Sequence, residues 1–138
     1  MPPSSHHPRA TSPAARYLAL ALLVALSACA SERRGDPDLQ VALSVEPDPP
    51  RVGTAAVQVR VAEVDWSPRN GDRVILRGVR DSIVLTQDTA VGQGAGLYRA
   101  EALPFPVAGS WILTVRVEAR DGRWVEVDET LRVEAEAP

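Results

Sequence analysis

From Leu39 onward the chain alternates apolar and polar residues with a period of two. Leu39, Val41, Leu43 and Val45 form a first run that stops at the turn Glu46-Pro47-Asp48-Pro49-Pro50. Val57, Val59 and Val61 alternate with Gln58 and Arg60, and the phase then shifts at Val64 and Trp66, which marks a bulge or a strand end. After the polar turn at 67–72 come short apolar runs at 73–79 and 82–86, then a loop of glycines at 92–96 and a further run at 97–103. Trp111, Leu113, Val115 and Val117 alternate again, as do Val125, Val127, Leu131 and Val133. A half-buried strand places every second side chain on one face, whereas no window here repeats apolar residues at helical spacing. Seven short strands punctuated by turn signals predict an all-β protein, a β-sandwich.

The last pair of strands fixes its own register. A two-residue turn at Asp121-Gly122 would set Val117 against Glu126 and Val115 against Asp128, mixing apolar and charged faces. A three-residue loop, Arg120-Asp121-Gly122 with Gly122 left-handed, instead pairs Val117 with Val125, Val115 with Val127 and Trp111 with Leu131. Arg116 then meets Glu126 on the other face, a cross-strand pair of opposite charge contributing roughly 0.2–1 kcal/mol. Trp124 falls on that same face. It is either an exposed aromatic available to a partner or a ring lying over the Arg116 stem.

The amino-terminal part has a different character. Tyr17 to Leu26 is an apolar run of ten residues preceded by Arg9 and Arg16 and by no acid. That is the layout of an export signal, and it is too short for the roughly 20 residues of a membrane-spanning helix. Leu26-Ser27-Ala28-Cys29 resembles a bacterial lipobox, which implies cleavage before Cys29 and lipid on its thiol. Each buried methylene adds about 0.8 kcal/mol, so two or three acyl chains hold a protein on a bilayer without a transmembrane helix. The expected organisation is a lipoprotein signal at 1–28, the lipidated Cys29 with a flexible tether at 29–38, and one folded domain at 39–135. By the sorting pattern of enteric lipoproteins, Ala30 after the cysteine implies the periplasmic face of the outer membrane.

Charge narrows the partners. All eighteen acids and thirteen of the fifteen basic residues, every one an arginine, lie after Cys29, leaving a mature chain with five more acids than bases. Such a balance does not suit a polyanion, so nucleic acid is not an expected partner. Arg69, Arg73, Arg77 and Arg80 are dense enough for an anion or headgroup patch, but Asp72 and Asp81 offset them and a solvated face explains them as well.

Two stretches, Val45–Val61 and Gly96–Val117, carry a family likeness. Gly53 in a Pro- and Gly-marked hairpin, Gly96-Leu97-Tyr98 and Gly109-Ser110-Trp111 resemble the pattern of YtkA-like domains, related to the FixH type. The resemblance implies an immunoglobulin-like sandwich of about seven strands carried on a bacterial lipoprotein, and it brings copper handling in the envelope as a possible role. Physics gives the same residues packing roles: Tyr98 and Trp111 bury their rings, and Gly96 and Gly109 supply backbone freedom where strands begin.

The mature sequence is poor in reactive side chains. The sole Met is Met1, and His6 and His7 lie in the export signal, so neither a thioether nor an imidazole remains after Cys29. This removes the soft and nitrogen ligands that copper prefers, and with them the Ser–His and Cys–His nucleophiles. Asp36/Asp38, Glu46/Asp48 and Asp128/Glu129 could pair as acid and base, but none has calcium-loop spacing. Gly92-Gln93-Gly94-Ala95-Gly96 is followed by no helix, as a phosphate cradle would require. The sequence therefore predicts an interaction or accessory module without catalytic activity or cofactor. Its expected partners are the membrane, through the lipid on Cys29, and an envelope protein or ligand. Trp124 and Arg116 are the candidate contact, and copper handling and a carboxylate hydrolase are the alternatives.

Overall fold

The computed structural model describes residues 31–136. All eight elements are strands: β1 Glu32–Gly35, β2 Gln40–Glu46, β3 Gly53–Ala62, β4 Arg73–Arg80, β5 Ile83–Gly94, β6 Leu97–Phe105, β7 Gly109–Glu118 and β8 Trp124–Val133. Every strand pairing is antiparallel, in the order β1-β8-β7-β4-β5-β6-β3-β2. The sheet curls into two layers because β5 serves both. Its first part, Ile83 to Ala90, pairs with β4, and its last part, Val91 to Gly94, pairs with β6.

Seven of these strands lie where the alternation places them, with two differences. The segment 29–38 is not simply a tether, because Glu32–Gly35 forms β1, with Glu32 opposite Asp128 and Gly35 opposite Val125. Arg34 anchors it through Glu126 and Asp128. The glycine loop at 92–96 is also shorter than expected: β5 continues through Gly94, and the turn to β6 is only Ala95-Gly96. At Val64 and Trp66 the phase shift is a strand end, β3 stopping at Ala62.

The alternating residues meet between the layers. Val57, Val59, Val61, Leu103 and Phe105 from one layer, and Val74, Leu76, Leu113, Val115, Val117 and Val125 from the other, are fully buried. Trp111 lies among them, its ring edge-on to Phe105 with centroids 5.2 Å apart and an interplanar angle of 85°. Its Nε1 donates to the Val107 carbonyl at 2.9 Å, which satisfies the one polar atom the indole brings inside.

The β7–β8 register is the one the charges demanded: Val117 opposite Val125, Val115 opposite Val127, Trp111 opposite Leu131 and Arg116 opposite Glu126. The Ala119 amide donates to the Arg123 carbonyl at 2.8 Å across a three-residue loop, and Gly122 has φ +88°. At the opposite end of the sandwich the two layers are latched by backbone. The Val52 amide donates to the Glu134 carbonyl and the Glu134 amide to the Pro50 carbonyl, both at 2.9 Å. The molecule thus has a latch end, with the 47–52, 81–82 and 106–108 connections, and a hairpin end, with the 63–72, 95–96 and 119–123 connections.

Candidate binding surface

The hairpin end is organised around one carboxylate. Asp72 is buried, and its oxygens accept from Arg69 Nε at 2.7 Å, from Arg69 Nη2 at 3.1 Å and from the Arg120 amide at 3.2 Å. Its own amide donates to the Tyr98 hydroxyl at 3.1 Å, and that hydroxyl donates to the Arg69 carbonyl at 2.8 Å. Tyr98, the tyrosine of the Gly-x-Tyr motif, therefore ties β6 to the 63–72 loop, and burial pushes its hydroxyl pKa up. Around this centre Glu63 accepts from both Arg69 and Arg123, while Arg123 also reaches Asp121 at 2.8 Å. A polar group this enclosed is tolerable only with its partners in place.

These contacts set the acid response. Hydrogen bonds from Arg123, then Arg69, hold the Glu63 carboxyl below the usual range, and Arg123 does the same to Asp121. On the outer face of β8, Arg34 and then Arg116 lower Glu126. A carboxylate with a lowered folded pKa contributes stability that is present above its unfolded value and lost as pH falls through the folded one. Glu129 runs the other way: burial, then the charge of Asp48, raises it, so the folded state takes its proton more readily than the unfolded chain and gains slightly as pH falls. With four lowered groups against one, the fourth being Asp65 under its hydrogen bonds from Ser67, stability should fall between about pH 5 and pH 3. Urea midpoints across that range measure it, and Glu63→Gln should lower the neutral-pH midpoint while flattening the acid slope. An equally steep slope in Glu63→Gln would remove Glu63 from the account.

The loop braced by this network holds out a tryptophan. Trp66 is 63% exposed and Val64 62%. Trp66 has φ +64°, a left-handed conformation that bulky side chains rarely adopt. The Trp66 amide donates to the Glu63 carbonyl at 2.8 Å, the Glu63 amide to the Ser67 carbonyl at 2.9 Å, and Ser67 Oγ to Asp65 at 2.6 Å. The alternation marks Trp66 only as out of phase. Its left-handed backbone depends on this bonding pattern, which no local residue preference announces.

Trp124, singled out with Arg116, also lies at this end. Its ring is both things the sequence left open: 40% exposed, and covered on one side by the Arg116 guanidinium, whose carbon stands 4.7 Å from the ring centroid. Arg116 is itself held by Glu118 at 3.2 Å and Glu126 at 3.3 Å. Gly35 of β1 packs beside the same ring, and a Cβ there would lie 3.0 Å from Trp124 Cε3. Trp66 and Trp124 are thus two exposed aromatics on one end, Trp124 covered by an ion-paired arginine and Trp66 set on a hydrogen-bonded turn.

The other candidates disperse. Cys29, the proposed lipid site, lies outside the described residues. The four arginines do not form one patch: Arg69 is absorbed by Asp72 and Glu63, Arg73 faces Glu118 at 3.8 Å, Arg77 bonds Gln87 at 3.1 Å, and Arg80 donates to the Ala108 carbonyl. Of the acidic pairs, Asp128 accepts from Thr114 Oγ1 at 2.7 Å, while Glu129 and Asp48 line a recess of about 150 Å³ between β2 and β8. Among the described residues no three His, Cys, Asp or Glu come together as a metal site would require. No described helix is long and apolar enough to cross a membrane.

No family model and no curated protein sequence matches the chain. Solved structures of similar fold include CopC from Methylosinus trichosporium OB3b, at 16% identity and TM-score 0.47, covering 72% of this chain and 98% of that one. The soluble domain of PmoD from Methylocystis sp. ATCC 49242 (Rockwell) is 14% identical with TM-score 0.48, covering 73% and 95%. Likeness of this degree carries no argument about what the chain binds.

Proposed function

We propose that this protein is a lipid-anchored, non-catalytic binding module of the bacterial cell envelope, and that it engages its partner through the hairpin end. The observation that carries the reading is the pair of exposed tryptophans, Trp124 beneath the ion-paired Arg116 and Trp66 on a backbone fixed by the hydrogen bonds of the 63–67 turn. Rigid aromatics lose little conformational freedom on binding and dominate interface energetics, and arginine beside them adds charge-assisted contacts. Lipid on Cys29 supplies the attachment to the membrane, and an envelope protein or ligand is the partner.

Trp124→Ala and Trp66→Ala should each weaken capture of that partner without lowering the urea midpoint by more than about 1 kcal/mol equivalent, since both rings are largely outside the core. Crosslinking in the native envelope followed by mass spectrometry of wild type and variants measures this. Unchanged partner recovery in the double variant would end the proposal.

Copper handling, which the YtkA-like resemblance implies, is the second reading. After Cys29 the sequence offers this role carboxylates but neither thioether nor imidazole, a hard-donor set better matched to Cu(II) than to Cu(I). Titration of the processed protein with each ion decides between the readings: submicromolar uptake establishes copper handling, and its absence leaves the binding module.

A further inference from the structure

The layer formed by β4, β7, β8 and the first part of β5 has an apolar stripe on its outward face. Val79 of β4 pairs with Ile112 of β7 on one side and Val84 of β5 on the other, and Ile112 pairs with Thr130 of β8. Paired residues share a face, and because Trp111 and Leu113 point inward, Ile112 and the residues opposite it point out. Ile112 is 43% exposed and Val84 51%. A recess of about 350 Å³ lies against the stripe, lined by Val79, Ile112, Thr130 and Ser110 among others. Exposed Arg132 stands two residue-pairs nearer the latch end on the same face, opposite Ser110.

The position of β1 says what covers this stripe. Because β1 is a strand, the slack between Cys29 and the domain is not the whole of 29–38 but the two residues that separate Cys29 from Glu32, a reach of about 10 Å over three Cα steps. Glu32 is fixed opposite Asp128, and Thr130, the first member of the stripe, lies two residues further along β8, about 7 Å away. β1 begins at its end nearer the latch, with Glu32 opposite Asp128 and Gly35 opposite Val125, so the reach from Glu32 starts on the side of the stripe. A lipid on Cys29 is therefore confined within reach of the stripe.

We infer that the Val79–Val84–Ile112–Thr130 stripe is a membrane-contact face, seated on the lipid surface by the short leash that β1 creates, with Arg132 at the headgroup level. The inference rests on the lipid at Cys29. Partial burial of a few apolar side chains adds little affinity beside the acyl chains but fixes orientation, since the anchor has already paid for bringing the two together. The hairpin end then faces away from the bilayer.

The test uses the processed, lipidated protein in vesicles of phosphatidylethanolamine and phosphatidylglycerol. With Cys29 alkylated, a single introduced cysteine carries an environment-sensitive fluorophore, at Val84→Cys or Thr130→Cys in the stripe and at Val91→Cys, an equally apolar position that is 65% exposed elsewhere. Blue-shifted emission quenched by nitroxide lipids at 84 and 130, with water-like emission at 91, is expected. Water-like emission at all three positions from protein that floats with the vesicles overturns the inference and spares the anchor. Protein that stays out of the vesicle fraction, with an unmodified amino terminus by mass spectrometry, overturns both.

Discussion

Trp111→Ala should destabilise the domain by about 4 kcal/mol, enough to consume a large share of the stability of a unit this size. The indole is 1% exposed and the largest fully buried side chain. Its removal forfeits the edge-on contact with Phe105, worth about 0.5–1.5 kcal/mol beyond its area, and leaves the Val107 carbonyl without the indole donor. The cavity cannot close easily. Gly78 on β4 lies against the ring, where an added Cβ would be 3.2 Å from Trp111 Cζ3, so the neighbouring backbone is already as near as it can come. Urea unfolding measures the loss, and Trp111→Phe should recover part of it. A loss below about 2 kcal/mol would mean that the layers collapse onto the space and that Trp111 does not set their spacing.

Asp72→Ala is the second large effect, about 3 kcal/mol. The Asp72 side chain is fully covered, while Arg69 beside it retains only 16% of its exposure. Alanine would leave the Arg69 guanidinium without its two-pronged partner and the Arg120 amide without an acceptor. Arg69 keeps Glu63 and, at 3.7 Å, Asp121, which places the expected loss at the lower end for a broken buried pair. Asp121→Ala, at the same network but with a side chain 45% exposed, should cost much less than Asp72→Ala. Equal losses from the two variants would show that the network is a surface arrangement with no buried centre.

The sequence and the structure agree most closely where hydrophobic phase and charge constrain the same pair of strands. In β7 and β8 the valines demanded one register and Arg116 with Glu126 demanded the same one, so local information was sufficient. Glu32-Arg33-Arg34-Gly35 carried no such signal, having no apolar residue. It becomes a strand because β8 offers an unpaired edge and because Arg34 finds Glu126 and Asp128 more than ninety positions away. Separation in sequence also hid the hairpin-end network: Asp72 reads as a turn residue until Tyr98 and Arg120, 26 and 48 positions away, close over it. Trp124 and Arg116 were legible as neighbours because two strands fixed their relation, whereas Trp66 owes its presentation to a left-handed backbone that no periodicity encodes.

One consequence of β1 concerns solubility. Over Val125–Asp128 it occupies backbone donors and acceptors of β8 that would otherwise stand open to any passing strand, and it presents Glu32, Arg33 and Arg34 to solvent in their place. A chain trimmed to begin at Leu39 would keep nearly all of the buried valines yet bare that row, inviting one molecule to add to the next. The few charged residues of β1 thus also insulate each copy from its neighbours.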